Sequence, residues 1–192
     1  ELARNRVQRL LVVAPLSAFE AWETEAADSF AQPLSVERLD VSATPKHSTE
    51  VLLVNYQKLI NPQVRASLFR WMREAPTHLV LDEAHRMKRG RTGAWGSATL
   101  DLAWHATRRD VLTGTPAPQH PRDLEALFEF LWPSQTRRIL PREVFVPAPS
   151  SAAVARMATA IRPLFVRTRK SELGLTEPRK TVLRLELKDL HR

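Results

Sequence analysis

Short apolar runs alternate with helix-period segments along most of this chain. Residues 10–14 (Leu-Leu-Val-Val-Ala) are apolar throughout until Pro15 stops them, which predicts a strand covered on both faces. Phe19, Trp22, Ala26 and Phe30 then recur at spacings of three, four and four, with Glu20, Glu23, Glu25 and Asp28 between them. That pattern predicts an amphipathic helix with Ser17 as its N-cap. Alternation over residues 34–41 predicts a second strand, and residues 42–50 a polar loop. Residues 51–54 form a third apolar run, followed by a helix over 64–71 after Asn61-Pro62. Leu79, Val80 and Leu81 make a fourth strand that ends abruptly at Asp82. A basic, glycine-containing loop over 86–96 leads into a helix over 97–105, and residues 109–113 form a fifth strand closed by Gly114-Thr115-Pro116. Leu124, Leu127, Phe128 and Leu131 mark the inward face of a helix over 123–131. Strands alternating with helices predict an α/β fold with a mostly parallel sheet between helical layers.

Past Pro133 the periodicity weakens. Pro141, Pro147 and Pro149 punctuate the chain before a short helix predicted over 152–161 and an alternating strand over 181–187. The expected division is a lobe over residues 1–133 and a basic helical appendage and connector over 134–192. Charge sharpens that division. Residues 1–60 carry 6 basic and 8 acidic side chains, residues 61–133 carry 10 and 8, and residues 134–192 carry 13 and 5. The net charge of +8 therefore lies in the last third, as expected of a segment that approaches a polyanion.

A length of 192 residues with 43% hydrophobic side chains suffices for one domain with a sizeable core. The absence of cysteine excludes disulfides and thiolate metal sites. Residues 10–15 are too short for a signal peptide and are followed by acids, and no apolar run is long enough to span a bilayer. The expectation is a soluble, cytoplasmic chain of bacterial type without a membrane partner. Its oligomeric state is left open.

The acids that follow the fourth run carry the sharpest chemistry. A parallel strand that delivers adjacent carboxylates at its carboxyl end is how nucleotide-hydrolysing folds present a magnesium ligand and a water-activating base. Asp82 would hold magnesium through the ion's water shell, because magnesium keeps several waters and takes one or two carboxylates. Glu83 would polarise the attacking water. A strand that merely ends in solvated acids has the same letters. His85 has no second histidine or cysteine at ligand spacing, which argues against zinc. The turn at Pro15 and the Ser17 hydroxyl suit a nucleic-acid backbone, a contact compatible with helix capping. Tyr56, the only tyrosine, either meets a sugar or fills the core. Thr113, Gly114 and Thr115 end the strand beside the acids. The glycine permits close backbone approach, and the hydroxyls can reach towards His85 or the water shell of Asp82. Arg86 and Lys88 either track phosphates or sit in a solvated loop. Trp71, Trp95, Trp104 and Trp132 are expected in the core or at its rim.

Five segments, in order, resemble the Swi–Snf branch of the superfamily-two, DEAH-box helicase-like ATPases. Leu11-Val-Val-Ala-Pro-Leu-Ser17 with Trp22 is similar to a motif lying along one DNA strand, and Leu53-Val-Asn-Tyr56 with Leu59 to a second DNA-backbone motif. Val80-Leu-Asp-Glu-Ala-His-Arg-Met-Lys88 resembles the magnesium-binding motif. Leu112-Thr-Gly-Thr-Pro116, with the helix ending Phe130-Leu-Trp-Pro133, resembles the motif that couples hydrolysis to movement. Ile161-Arg-Pro-Leu-Phe-Val-Arg167, Lys170 and Pro178-Arg-Lys-Thr181 resemble the passage towards a second lobe. The resemblance implies a P-loop NTPase (RecA-like) three-layer sandwich, incomplete at its N-terminus. It also implies ATP and Mg2+ as cofactors, double-stranded DNA and a second RecA-like lobe as partners, and catalytic roles for Asp82, Glu83 and His85. Thr115-Pro116-Ala-Pro118 with Gln119 and the compact stretch after Pro133 fit the shorter bacterial members, which weakens a nucleosome-specific role.

One expected part is missing. The five glycines precede Arg, Ala, Ser, Thr and Leu, never Lys, so no Gly-Lys-Ser/Thr phosphate loop exists in these 192 residues. The expectation is a piece of a longer motor, cut after that loop and before the second lobe, and inactive alone. A catalytically dead nucleic-acid-binding scaffold is the competing expectation, and the motor subunit of a restriction or phage-defence system is compatible with the first.

Overall fold

The computed structural model describes residues 2–4, 6–40, 44–117, 119–168, 172, 174 and 181. The apolar runs become β1 (Arg9–Val13), β2 (Val36–Arg38), β3 (Val51–Val54), β4 (Thr77–Asp82) and β5 (Arg108–Leu112). All pair in parallel, in the order β2-β3-β1-β4-β5. Register sets Val13 against Leu81 and Asp82 against Leu112, so the turns after β1, β4 and β5 leave from one edge of the sheet. This is the α/β architecture with a parallel sheet expected from the alternating pattern, and it agrees with the RecA-like lobe that the resemblance implies.

Alternate residues of each strand feed opposite layers. Leu11, Val13, Leu52, Val54, Leu79 and Leu81 belong to the larger core with α2 (Pro62–Glu74), α3 (Ala94–Ala103) and α4 (Leu124–Leu131). Val12, Ala14, Val51 and Leu53 pack on the other face against Phe19 of α1 (Phe19–Asp28), with Trp22 against the same cluster. Both faces of the central strands are covered, which is why those strands read as unbroken apolar runs. β2 is an edge strand of three residues, shorter than the alternation over 34–41 suggested.

Local chemistry fixes the helix starts. Asn61 Oδ1 accepts the Gln63 amide at 2.8 Å and Pro62 occupies the first turn, so α2 starts before residue 64. Between β4 and α3 the chain makes two 3-10 turns, Ala84–Met87 and Gly90–Thr92, and α3 begins at Ala94, three residues earlier than its apolar spacing indicates. Gly90 takes φ +51°, and a Cβ on Gly96 would lie 2.2 Å from the Gly90 carbonyl oxygen. The loop and helix touch there because residue 96 has no side chain. Trp71 is buried and Trp95 and Trp132 pack at the core, whereas Trp104, just past α3, is 59% exposed and fills neither core nor rim.

Past residue 133 the core continues without a break. Leu140, Val144, Ala153, Met157 and Ile161 join the same cluster as the sheet, through α5 (Thr136–Ile139) and α6 (Ser151–Ile161). Ser150 Oγ caps α6 by accepting the Ala153 amide at 3.2 Å. Residues 182–187 of the strand expected over 181–187, Lys170 and residues 178–180 lie outside the described residues. No helix among the described residues is long and apolar enough to cross a membrane.

Candidate active site at the carboxyl edge

β4 stops at Asp82 because the next residue leaves the extended region. Glu83 is left-handed (φ 51°, ψ 47°), and its amide donates to Asp82 Oδ1 at 2.9 Å instead of continuing the ladder. The half-buried Asp82 accepts two further bonds from distant elements. Trp22 Nε1 of α1 donates to Oδ2 at 3.1 Å, and the Tyr56 hydroxyl donates to the backbone carbonyl oxygen at 2.8 Å. Each carboxylate oxygen thereby has one protein donor and keeps lone-pair capacity for another partner.

Tyr56 follows β3 and is 1% exposed, its ring 6.0 Å from that of Trp95. Burial first, then the nearby Asp82 charge, push its hydroxyl well above the ordinary value of 10.0. Of the two readings of Tyr56, the structure bears out the core: the ring is buried and the hydroxyl braces β4.

Glu83 and His85 face each other, Oε2 to Nδ1 at 3.1 Å, with side chains 48% and 35% exposed. The same Nδ1 lies 3.5 Å from Thr113 Oγ1, just past β5. Thr113 Oγ1 in turn accepts the Thr115 amide at 3.2 Å. His85 Nδ1 can donate to Glu83 or accept from Thr113, so the ring's tautomer selects which neighbour it engages. Gly114 is exposed, and a Cβ there would meet nothing within 4 Å, so no close backbone approach among the described residues requires glycine.

Pro15 and Ser17 leave β1 on the same edge. The Pro15 carbonyl accepts the Ala18 amide at 3.0 Å, closing a 3-10 turn over Leu16–Ala18. α1 therefore starts one residue after Ala18 takes the N-cap position without a side-chain bond, and Ser17 is not the cap. The Ser17 hydroxyl is left at an exposed turn. Arg86 is half-buried, its guanidinium 5.9 Å from the Trp95 ring centroid and its Nε without a hydrogen-bond partner among the described residues. Lys88 Nζ donates to Gln119 Oε1 at 2.9 Å, joining the loops after β4 and β5. Neither cation is a freely solvated loop side chain.

Direct contacts thus connect Asp82, Glu83, His85 and Thr113, with Tyr56 and Trp22 bracing them. Pro15 and Ser17 connect to the acids through α1 and through β1, which pairs with β4. The apolar stripe of α1 placed Trp22 correctly, but its bond to Asp82 was hidden. The one available signal is that a half-buried indole carries a polar handle seeking an acceptor. Among the described residues no group of three or more His, Asp or Glu side chains could cage an ion. The donor set instead fits magnesium, which takes few carboxylates and keeps water or phosphate oxygens for the remaining positions.

A family profile described as SNF2-related domain matches residues 3–192. The chain is 29% identical over 131 residues to the transcription regulatory protein SNF2 of Saccharomyces cerevisiae, covering 64% of this chain and 7% of that protein. It is 30% identical over 132 residues to the human DNA excision repair protein ERCC-6-like, covering 65% and 10%. The Sulfolobus solfataricus SWI2/SNF2 ATPase core in complex with double-stranded DNA superimposes with a TM-score of 0.67 at 22% identity, covering 90% of this chain and 37% of that one. The aligned segments are a tenth or less of these two curated relatives' length.

Proposed function

The chain belongs to the family of SNF2-related domains, and on that premise we propose that it forms most of the first lobe of an ATP-driven motor on double-stranded DNA. One observation carries the proposal: the acid pair at the carboxyl end of β4 is joined through His85 to the threonine just past β5. Asp82, held from two sides, presents its carboxylate to a hydrated magnesium ion. Bound with ATP, that ion supplies charge neutralisation on the transferring phosphoryl group. Glu83 orients the attacking water by accepting its hydrogen bond, and His85 holds the Glu83 carboxylate in place. Thr113 and Thr115 carry a change at the acids to the loop after β5. The exposed Pro15–Ser17 turn, with Arg86 and Lys88, faces the DNA backbone, whose contacts carry no sequence information and suit movement along any sequence.

On this reading residues 134–192 lead towards a second RecA-like lobe, and that lobe and the cradle for the β- and γ-phosphates belong to the full-length protein. The 192 residues alone hydrolyse no ATP above background. The test measures ATP hydrolysis by the full-length protein with double-stranded DNA, single-stranded DNA and RNA. Stimulation greatest with double-stranded DNA is expected. Nucleotide-independent DNA binding with no hydrolysis would leave the inactive scaffold instead.

A further inference from the structure

We infer that Trp22 is a positioning residue for Asp82, fixing the orientation of the carboxylate that faces the metal and tying it to the turn at Pro15–Ser17. The inference rests on the proposed hydrolytic role of Asp82 and goes beyond it by assigning a second residue to the site.

Three observations support it. Trp22 Nε1 lies 3.1 Å from Asp82 Oδ2 although sixty residues separate them, and the Glu83 amide holds Oδ1 at 2.9 Å. With one donor on each oxygen the carboxylate cannot rotate without breaking a bond. Second, the Trp22 ring is half-buried against the core on the α1 face of the sheet, which sets the side chain that carries the N–H to Asp82. Third, α1 is anchored in rotation by Phe19, 3% exposed in the core one turn before Trp22. The turn carrying the exposed Ser17 runs directly into this helix. A backbone seated on that turn would shift α1 and with it the donor on Asp82. Outer partners that orient a ligand typically alter metal affinity by about 10–100-fold when removed.

The test uses the full-length protein carrying Trp22→Phe, which keeps a ring on the helix face and removes the N–H. Thermal melts should match the unsubstituted protein. The Mg2+ concentration for half-maximal DNA-stimulated ATPase should rise about tenfold or more, with the rate recovering in excess Mg2+. Mn2+ binding to the ADP complex, followed by electron paramagnetic resonance, should weaken in parallel without any turnover. Unchanged Mg2+ dependence and Mn2+ affinity in a normally folded variant would overturn the role. Asp82→Ala separates the two levels. If it destroys metal dependence while Trp22→Phe does not, only the Trp22 role falls. If Asp82→Ala itself leaves metal binding untouched, the hydrolytic reading falls and takes the Trp22 role with it. Should Trp22→Phe fail to fold, the indole N–H resonance decides: Asp82→Ala must shift it and speed its exchange, and an unmoved resonance refutes the bond.

Discussion

The Nδ1 nitrogen of His85 faces the Thr113 hydroxyl at 3.5 Å, across the gap between the ends of β4 and β5. These ends are already adjacent in the sheet, with Asp82 in register with Leu112. The side-chain contact adds a link shared between two partners, because the same nitrogen also faces Glu83 at 3.1 Å.

Thr113→Val keeps the shape and removes the hydroxyl. Losing one modest hydrogen bond, about 1 kcal/mol, should lower DNA stimulation of ATP hydrolysis by about fivefold. Nucleotide affinity should stay unchanged. Hydrolysis with and without double-stranded DNA, beside a fluorescent-nucleotide titration, separates the two. An equal fall in both rates would place Thr113 in the chemistry itself.

Glu83→Gln retains size and hydrogen bonding but cannot take a proton. Turnover in the full-length protein should drop by about 10²–10⁴-fold, the usual contribution of a positioned base, while ATP still binds. Persistence of hydrolysis at the original rate would exclude Glu83 as the base.

Gly96→Ala forces a methyl to within 2.2 Å of the Gly90 carbonyl oxygen. The contact is with backbone, so the loop between the acids and α3 must move. The expected cost is about 1–3 kcal/mol, read as a lower urea midpoint at constant slope. An unchanged midpoint would mean that Gly90 and Gly96 do not touch in solution.

Tyr56, the single tyrosine, gives an alkaline signature. Its folded-state pKa is raised above 10.0 by burial and by Asp82, so the folded protein retains a proton that the unfolded chain releases. Stability from this group is fully present below about pH 10 and is lost as pH rises beyond it. Tyrosinate absorbance should therefore develop only together with unfolding, seen by far-ultraviolet circular dichroism. Reversible titration near pH 10 in folded protein would contradict the burial.

What the sequence disclosed follows from how local each cause is. β1, β3 and β4 are legible because a strand covered on both faces is apolar through its centre, with polar residues such as Arg9 and Thr77 at its start. β2 overran because, at the sheet's edge, the paired register with β3 spans Val36 to Arg38, and Ser35 and Leu39 add flanking backbone bonds to it. The Ser17 cap was misplaced because a 3-10 turn closed by the Pro15 carbonyl intervenes, and that hydrogen bond leaves no compositional mark. Asp82 and Glu83 stood out because two charges ending an apolar run are conspicuous. The bonds from Trp22 and Tyr56 to Asp82 were invisible, since each depends on which strands become neighbours. Tyr56 suits a core and a ligand contact equally well by type, and only its depth separates them.

The left-handed backbone at Glu83 has a consequence for the evolution of such a protein. A side chain there costs about 1–2 kcal/mol that glycine would not incur. Selection for heat resistance alone would favour Glu83→Gly and discard the proposed base in the same step. Keeping glutamate at that position is a standing sacrifice of robustness to work.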